Sequence, residues 1–380
     1  MAIKFTFASL VLFIVVAQAA PYEVVNVNVS LPQNNSALDY NLAWVQSQLY
    51  GYNGATNNQL THSFVPVTCG ANVSVYHTDP GVFANAGTPQ TPILLLNHGY
   101  PESSYIWRDV TPVVSHRVPV FVPDRPGYGL STVCPNGTDE FTMASAILEA
   151  ANKIYGNGIH VILGGHDRGA RSMHRAAVSI DQFPNVNALG VWMADVVPIV
   201  EEYASFSNPN YSTNYFHWNF LPKNAFATDV IMAYGGGNWV TEINHLGSGI
   251  NATATAIFQS GQSFEVYANF FNQLSVTKAS VEDYTSGATT DYQAQLADQA
   301  AGRKIKMPTH VLYSYSNLVV ASGFNVSETW SRWVEPSAGL TTGPVCCGQG
   351  HFIIELAPQD SIDQLDAFMD RLGVAPCCAG

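Results

Sequence analysis

Residues 164–171 read Gly164-Gly165-His166-Asp167-Arg168-Gly169-Ala170-Arg171, and this is the most informative segment of the chain. Before it, Ile159-His160-Val161-Ile162-Leu163 has the β-branched, apolar pattern of a buried parallel strand. After it, residues 170–179 contain no Gly or Pro and predict a helix. Gly165 and Gly169 permit a sharp strand-to-helix turn that exposes residue 167. The spacing is that of a nucleophile motif, G-x-S-x-G, with aspartate in place of serine.

The aspartate changes the chemistry that such a turn predicts. A serine alkoxide suits attack on a carbonyl, whereas a carboxylate can displace a leaving group from a saturated carbon and form an ester. The alternative is a glycine-flanked turn in which Asp167 only caps a helix. These residues alone leave both interpretations open.

Apolar runs on both sides of this turn predict further strands. They are Pro92–Leu96, Val118–Val122 and Ala188–Met193, and predicted helices separate them. Strands that alternate with helices predict a mostly parallel central sheet flanked by helices, which is an α/β fold. Ligands of such sheets bind beyond the carboxyl ends of the strands, where His98, Asp167 and Asp195 would lie.

Residues 198–301 interrupt the alternation. They are rich in aromatic residues and Asn, and their pattern is mostly helical, which predicts a helical cap inserted between two strands. The α/β pattern resumes at Pro308–Tyr313, and Gly350-His351-Phe352 follows the next strand. We therefore predict that an α/β core occupies residues 61–197 and 302–380.

The first residues predict export. Residues 1–19 have the features of a signal peptide: Lys4, a short apolar run at Phe5–Val16, and the small-residue cleavage site Ala17-Gln18-Ala19. The apolar run is too short to span a bilayer. Residues 20–60 form a polar N-terminal extension of undetermined role, with one predicted helix at residues 36–49. Seven N-x-S/T sequons predict glycosylation of a secreted, extracellular protein; they begin at Asn28, Asn34, Asn72, Asn136, Asn210, Asn251 and Asn325.

Charge and cysteine content limit the partners of the protein. The net charge of −13, with only 11% charged residues, disfavours nucleic acid and anionic membrane surfaces. Six cysteines in an oxidising compartment favour disulfides. We predict a bond between Cys69 and Cys134 and a link from the 346/347 pair to the 377/378 pair. No C-x-x-C spacing occurs, so a metal site is disfavoured and no cofactor is expected.

Four motifs in order carry a family resemblance. They are His98-Gly99-Tyr100-Pro101, residues 123–127, Gly165-His166-Asp167-Arg168-Gly169 and Gly350-His351-Phe352. On these motifs, residues 61–372 resemble the aspartate-nucleophile branch of the α/β-hydrolases. That branch contains haloalkane dehalogenases, epoxide hydrolases and fluoroacetate (haloacetate) dehalogenases. The resemblance implies an α/β-hydrolase fold with a helical cap.

The resemblance also implies a catalytic triad. Asp167 would be the nucleophile, and His351 the base that activates water to hydrolyse the ester. In much of the branch the third member follows the strand after the cap, but residues 314–317 contain no carboxylate. Asp195, after the strand that follows the nucleophile turn, holds the position used by fluoroacetate and some haloalkane dehalogenases. Backbone N–H groups of Tyr100 and Arg168 would stabilise the oxyanion.

Two arginines would select the substrate. Arg168 and Arg171 match the D-R-G-x-R pattern with which fluoroacetate dehalogenases clamp a substrate carboxylate through charge-assisted bonds. The halide pocket of that group would correspond to His217, Trp218 and Tyr284, whose N–H and O–H groups can donate to a departing anion. Without the resemblance, these aromatic residues would be assigned to the core.

Two other functions stay open at this point. Epoxide hydrolases pair the same triad with two cap tyrosines, and Tyr215 and Tyr284 could fill those positions. A secreted binding protein that keeps the fold without turnover is the third hypothesis. The favoured function is hydrolysis of a small-molecule substrate, a small α-substituted carboxylic acid, and a homodimer is left open.

Overall fold

The computed structural model describes residues 60–375. The predicted signal peptide, the extension up to residue 59, the sequons at Asn28 and Asn34, and Cys377 and Cys378 lie outside the described residues. The described part contains an eight-stranded sheet. Its strands are β1 (Thr61–Pro66), β2 (Asn72–His77), β3 (Ile93–Asn97), β4 (Val120–Pro123), β5 (Ile159–His166), β6 (Val186–Ala194), β7 (Thr309–Ser314) and β8 (Leu340–Val345).

Helices follow or separate most of these strands. Those of the α/β part are α1 (Thr111–Val114), α2 (Glu140–Tyr155), α3 (Asp167–Val178), α13 (Val326–Ser331), α14 (Ile353–Leu356) and α15 (Pro358–Arg371). Those between β6 and β7 are α4 (Ile199–Ser205), α5 (Pro209–Asn214), α6 (Phe216–Phe220), α7 (Ala225–Tyr234), α8 (Gly236–Gly247), α9 (Ala252–Phe258), α10 (Ser263–Phe271), α11 (Leu274–Ser286) and α12 (Tyr292–Ala301).

The sheet has the strand order β1-β2-β4-β3-β5-β6-β7-β8. β1 pairs antiparallel with β2, β2 pairs antiparallel with β4, and every later pairing is parallel. The carboxyl ends of β3 to β8 therefore meet at one edge, as the strand–helix alternation predicts. This is the α/β-hydrolase fold predicted from the sequence, with a mostly parallel sheet flanked by helices.

Apolar side chains fill both faces of the sheet. Leu94 and Leu96 of β3 belong to one buried cluster, and Ile93 and Leu95 belong to the other. All four are fully buried because helices cover both faces, which explains why the strand is a continuous apolar run rather than an alternating one. Asp139 caps the N-terminus of α2, because its carboxylate accepts the Thr142 N–H, and Gly156 caps the C-terminus.

The helices between β6 and β7 lie against loops at the carboxyl edge of the sheet. The Trp239 indole N–H in α8 donates to the Tyr100 hydroxyl after β3, at 2.6 Å. The Tyr128 hydroxyl after β4 donates to Asp283 of α11, at 2.8 Å. This helical segment therefore covers the edge where the predicted site residues lie. Among residues 60–375, we find no helix with the length and apolar character needed to cross a membrane.

One of the predicted disulfides is present, between Cys69 and Cys134. The bond joins the turn between β1 and β2 to the loop before α2. Cys346 and Cys347 are exposed and unbonded, and their predicted partners lie outside the described residues. That second link stays a prediction.

The Cys69–Cys134 bond predicts a measurable contribution to stability. The Cys69→Ala/Cys134→Ala variant should lose roughly 4 kcal/mol of unfolding free energy, because the cross-link closes a 65-residue loop in the unfolded chain. Urea unfolding followed by circular dichroism measures this loss. Val82→Ala, which shortens one exposed side chain, is the control and should change it by less than about 0.5 kcal/mol. Equal midpoints for the first variant and the wild type would refute the assignment.

Candidate active site

Asp167 lies at the junction of β5 and α3 and is buried. Its φ of 45° is in the left-handed region. Two glycines make this turn possible, because a Cβ on Gly165 would lie 2.7 Å from the backbone of Gly169, and a Cβ on Gly169 would lie 2.3 Å from the carbonyl oxygen of His98. The turn thus packs tightly against the end of β3 and holds the carboxylate at the carboxyl edge of the sheet.

The structure brings Asp167, His351 and Asp195 together. His351 Nδ1 lies 2.7 Å from Asp195 Oδ2, and its Nε2 lies 3.7 Å from Asp167 Oδ2. Asp195 follows β6 with a φ of 47°, and His351 follows β8. The imidazole is thus placed between two carboxylates, one of them hydrogen-bonded to Nδ1, which is the arrangement that a general base requires.

Ser314, the last residue of β7, and Asn317 shortly after it orient Asp195. The Ser314 backbone N–H donates to Asp195 Oδ1 at 2.7 Å, and the Asn317 side-chain amide donates to Oδ2 at 2.7 Å. Residues 314–317 were considered from the sequence only as a position for the triad acid. An amide and a backbone donor at that position instead hold the carboxylate that comes from β6, and this support was missed.

The Asp167 carboxylate is stabilised in its charged form. Its Oδ1 accepts the Tyr100 backbone N–H at 2.9 Å. Burial alone would raise the pKa of Asp167, but the charges of His351, Arg171 and His166 outweigh burial and hold it below its usual range. The carboxylate is therefore ionised at neutral pH, as a nucleophile must be.

The buried side chain of His166 lies between Glu102 and the backbone of His351. His166 Nδ1 lies 3.1 Å from Glu102 Oε2, and its Nε2 lies 3.0 Å from the His351 carbonyl oxygen. Burial opposes a charge on His166, but Glu102 outweighs burial and the pKa rises to about 9. His98 shapes the loop, with Nδ1 bonded to the Gly99 carbonyl at 2.8 Å. Glu102 and His166 were not predicted from the sequence, although His166 directly precedes Asp167.

Arg168 differs from the expectation that it clamps a substrate. Its buried guanidinium bonds to the carboxylate and carbonyl of Asp283 and lies 3.0 Å from Glu140 Oε1. Asp283 also accepts from Arg125 and Tyr128, which makes a closed network between the sheet and α11. With two carboxylates already paired to it, Arg168 links the core to the helical segment, so the expectation that Arg168 contacts a substrate is corrected, and Arg171 stays the candidate.

Arg171 lies one helical turn further along α3 and is close enough to lower the pKa of Asp167. Its guanidinium carbon lies 4.5 Å from the centre of the Trp218 ring. Nη1 donates to the Val197 carbonyl at 2.5 Å, and Nη2 donates to Glu202 Oε2 at 3.2 Å. Arg171 is therefore positioned by an aromatic face and a carboxylate.

His217, Trp218 and Tyr284 form one aromatic cluster beside the nucleophile. The Tyr284 ring lies 5.7 Å from that of His217 and 5.5 Å from that of Trp218. Burial lowers the pKa of His217 to about 4 and raises the pKa of Tyr284, on which the Asp167 charge also acts. Both groups are neutral near pH 7, so each carries a proton that can be donated to a leaving group.

Tyr215 differs from the expectation that it pairs with Tyr284. Its hydroxyl oxygen lies 3.2 Å from Asn317 Nδ2 and 3.2 Å from Ser322 Oγ, beside Asp195. Tyr215 thus contacts the residues that support the triad acid rather than the leaving-group cluster. Within residues 60–375, no group of three or more His, Cys, Asp or Glu side chains is arranged to hold a metal ion.

Parts of the sequence are similar to known proteins. A family model described as alpha/beta hydrolase fold matches residues 92–189. Fluoroacetate dehalogenase from a Burkholderia species is 28% identical over 287 residues, which are 73% of this chain and 87% of that protein. Soluble epoxide hydrolase from Corynebacterium sp. (strain C12) is 38% identical over 88 residues, only 23% of this chain and 29% of that protein.

Solved structures are similar over most of the chain. A mutant of a provisionally assigned epoxide hydrolase from Pseudomonas aeruginosa, with bound MFA, has a TM-score of 0.70 at 25% identity and covers 83% of this chain and 97% of that one. Epoxide hydrolase CorEH has a TM-score of 0.67 at 22% identity, over 83% of this chain and 100% of that one, which shows the shared fold. The described chain therefore has the α/β-hydrolase fold, and its sequence resembles those of a fluoroacetate dehalogenase and an epoxide hydrolase.

The network around Arg168 predicts a large effect on stability. Asp283→Asn should lower the unfolding free energy by roughly 3–5 kcal/mol, because it leaves the buried Arg125 and Arg168 guanidinium groups undercompensated. Thermal or urea unfolding measures the loss. The neighbouring Glu282→Gln, whose carboxylate makes only a partly exposed contact with Lys278, is the matched control and should change stability by less than about 0.5 kcal/mol. Equal stability of both variants would contradict a structural role for Asp283.

Proposed function

We propose that this protein hydrolyses a small α-substituted carboxylic acid, such as a haloacetate, through an ester formed on Asp167. The observation that carries the proposal is the triad geometry, with His351 Nδ1 on Asp195 and Nε2 facing the Asp167 carboxylate. Residues in the roles of nucleophile, base and orienting acid come from the ends of three different strands. Their convergence favours catalysis over a binding protein that only shares the fold.

In the first step, an Asp167 carboxylate oxygen attacks the substituted carbon. The carbon–oxygen bond of the ester forms as the carbon–halogen bond breaks, and the halide leaves with the electron pair. His217 and Tyr284 are neutral at pH 7. The His217 N–H and the Tyr284 O–H donate hydrogen bonds to the developing anion. Trp218 packs against Tyr284 and completes the pocket.

In the second step, water attacks the ester carbonyl of Asp167. His351 Nε2 accepts the proton of this water, and Asp195 stabilises the charged imidazolium. The Tyr100 N–H, which already contacts Oδ1, stabilises the oxyanion. Collapse of the intermediate releases a 2-hydroxy acid and restores the Asp167 carboxylate. The proton on His351 then passes to solvent, which is accessible because this side chain is 19% exposed.

Arg171 is the group that would bind the substrate carboxylate. The charge of Arg168 is already balanced by Asp283 and Glu140, whereas Arg171 lies near Asp167 and has a single carboxylate partner. The fluoroacetate dehalogenase named above, with 28% identity over 73% of this chain, supports the same substrate class.

Epoxide hydrolysis is the second candidate. Two neutral donors next to Asp167, His217 and Tyr284, could donate hydrogen bonds to an epoxide oxygen as well as to a halide, and the Tyr284 O–H could protonate the alkoxide that forms. The relatives named as epoxide hydrolases favour it too, although the Corynebacterium match covers only 23% of this chain. Here the donor pair would be His217 with Tyr284, because the Tyr215 hydroxyl contacts Asn317 and Ser322.

We further infer that the enzyme is secreted and that residues 198–301 act as its cap. The sequence of residues 1–19 supports export, and the Cys69–Cys134 bond fits an oxidising compartment. Four sequon asparagines lie at exposed positions where a glycan could be accommodated: Asn72, Asn136, Asn210 and Asn325.

The mechanism predicts a trapped intermediate. His351→Ala should still form the ester but fail to hydrolyse it, so chloroacetate should add one carboxymethyl group to Asp167. Intact-mass measurement and peptide mapping detect the adduct, and a single turnover of the wild type in ¹⁸O-water should label Asp167. His245→Ala, which removes an exposed histidine, is the control and should accumulate no adduct. Wild-type steady turnover by His351→Ala would rule out this role of His351.

The substrate class predicts which variants lose activity. Arg171→Gln should lower kcat/KM for haloacetates by about ten- to a hundredfold, the loss expected for a charged hydrogen bond, while neutral epoxides are unaffected. Tyr284→Phe should slow fluoride release more than bromide release, because the poorer leaving group needs more stabilisation. Arg332→Gln, with an exposed guanidinium, is the control. Efficient opening of neutral epoxides that depends on Tyr284 but not on Arg171 would favour the epoxide hydrolase.

A further inference from the structure

We propose that Glu202 is a specificity-determining residue that holds Arg171 in the resting site and takes up a proton when a substrate carboxylate binds there. This inference rests on the proposed function, because it specifies how that site admits an anionic substrate. Binding of an anion would then be linked to proton uptake, whereas binding of a neutral molecule would not. Glu202 is not among the residues that the sequence motifs identify.

The geometry places Glu202 in direct competition with a substrate carboxylate. Glu202 lies in α4 and is 1% exposed, and its Oε2 accepts from Arg171 Nη2 at 3.2 Å. Within the described part of the chain, neither Glu202 Oε1 nor Arg171 Nε has a hydrogen-bond partner. Trp218 covers one face of the guanidinium and the Val197 carbonyl accepts from Nη1, so a ligand that binds at Nη2 meets Glu202.

Charge balance then requires a proton. Arg171 is buried, and its guanidinium can neutralise only one carboxylate. A substrate carboxylate would add a third negative charge beside the ionised Glu202 and Asp167, although Arg171 is already paired with Glu202, and such an added charge is unfavourable in a buried site. Protonation of Glu202 removes one of these negative charges: its carboxylate accepts a proton from solvent on binding and returns it when the product leaves. The protonated group also gains an O–H that can donate to the substrate.

The surroundings of Glu202 make this proton uptake feasible near neutral pH. The charged and titratable groups that act on it, or on which it acts, are Arg171 and Asp167 from α3, His351 from the loop after β8, and Tyr203 and Tyr215 from the helical segment. Burial raises the pKa of Glu202 to about 7, against the opposing charge of Arg171. A bound anion would raise this pKa further, so a proton is taken up around and above pH 7.

The affinity for an anion should fall as the pH rises above the pKa of Glu202. Below the pKa of free Glu202, the group is already neutral and the anion binds without competition. Above it, each pH unit should weaken anion binding by about tenfold until the pKa of the complex is reached. In turnover, the effect should appear in KM for haloacetates rather than in kcat, and neutral epoxides should show no such trend.

Glu202→Gln tests the inference, because glutamine keeps the shape and an acceptor oxygen for Arg171 but cannot titrate. Acetate, which has no leaving group, is the probe. Calorimetric titrations of the full chain between pH 6 and 8.5, in two buffers of different ionisation enthalpy, give the dissociation constant and the number of protons taken up. We expect wild-type affinity to fall with pH and proton uptake to approach one, while Glu202→Gln should show neither. Glu201→Gln, at the neighbouring position bonded to Trp333, is the matched control and should behave like the wild type.

The outcomes separate this inference from the proposed function. The same pH dependence and proton uptake in Glu202→Gln as in the wild type would overturn the inference and assign the proton to His351. Failure of Glu202→Gln to bind acetate at any pH would also overturn the inference, because an uncharged glutamine should leave Arg171 available to bind the anion. If that variant does not fold, the absence of proton uptake by the wild type at pH 8 overturns it. Glu202-dependent acetate binding without halide release from haloacetates would refute the dehalogenase and leave the carboxylate site standing.

Discussion

The rest of this structure depends on the strained backbone of one residue. Asp167 has a φ of 45°, a conformation that costs a non-glycine residue about 1–3 kcal/mol. The surrounding packing must outweigh that cost: β3 and β5 pair in register up to Asn97 and Gly165, and the Asn97 amide donates to the Gly169 carbonyl at 3.3 Å. Because these contacts allow no Cβ at Gly169, the turn has one available geometry, and that geometry places the carboxylate against the Tyr100 N–H.

The distribution of buried charge explains how one helix serves both stability and chemistry. Arg168 and Arg171 lie one turn apart on α3 and are both buried. Arg168 is paired with Asp283 and Glu140, and these ion pairs join the sheet to the helical segment. Arg171 is compensated by Glu202 alone and acts on Asp167. The two arginines therefore differ in role because their carboxylate partners differ. Those partners lie at distant positions in the sequence.

The fold class and the proximity of Asp167, Asp195 and His351 could be predicted from the sequence, because both depend on local patterns. Continuous apolar runs indicate buried strands, and His98, Asp167 and Asp195 follow such runs directly. The partners of Arg168 could not be predicted in this way: Asp283 is 115 residues away, and adjacency to the nucleophile suggested a substrate contact instead. The contact between Asn317 and Asp195 could not be predicted either, because no sequence pattern marks an amide that orients a carboxylate from another strand.

In the proposed function, the charge of the ligand selects the substrate more than its shape does. His217 and Tyr284 are neutral donors that suit a halide or an epoxide oxygen equally, so the leaving-group pocket does not discriminate between the two reactions. The proposed role of the Arg171–Glu202 pair supplies the discrimination: with Glu202 ionised the pair is neutral and would accept an uncharged ligand, and with Glu202 protonated it is cationic and would attract an anion. Under this proposal, the protonation state of one buried carboxyl group decides which ligand charge the site accepts.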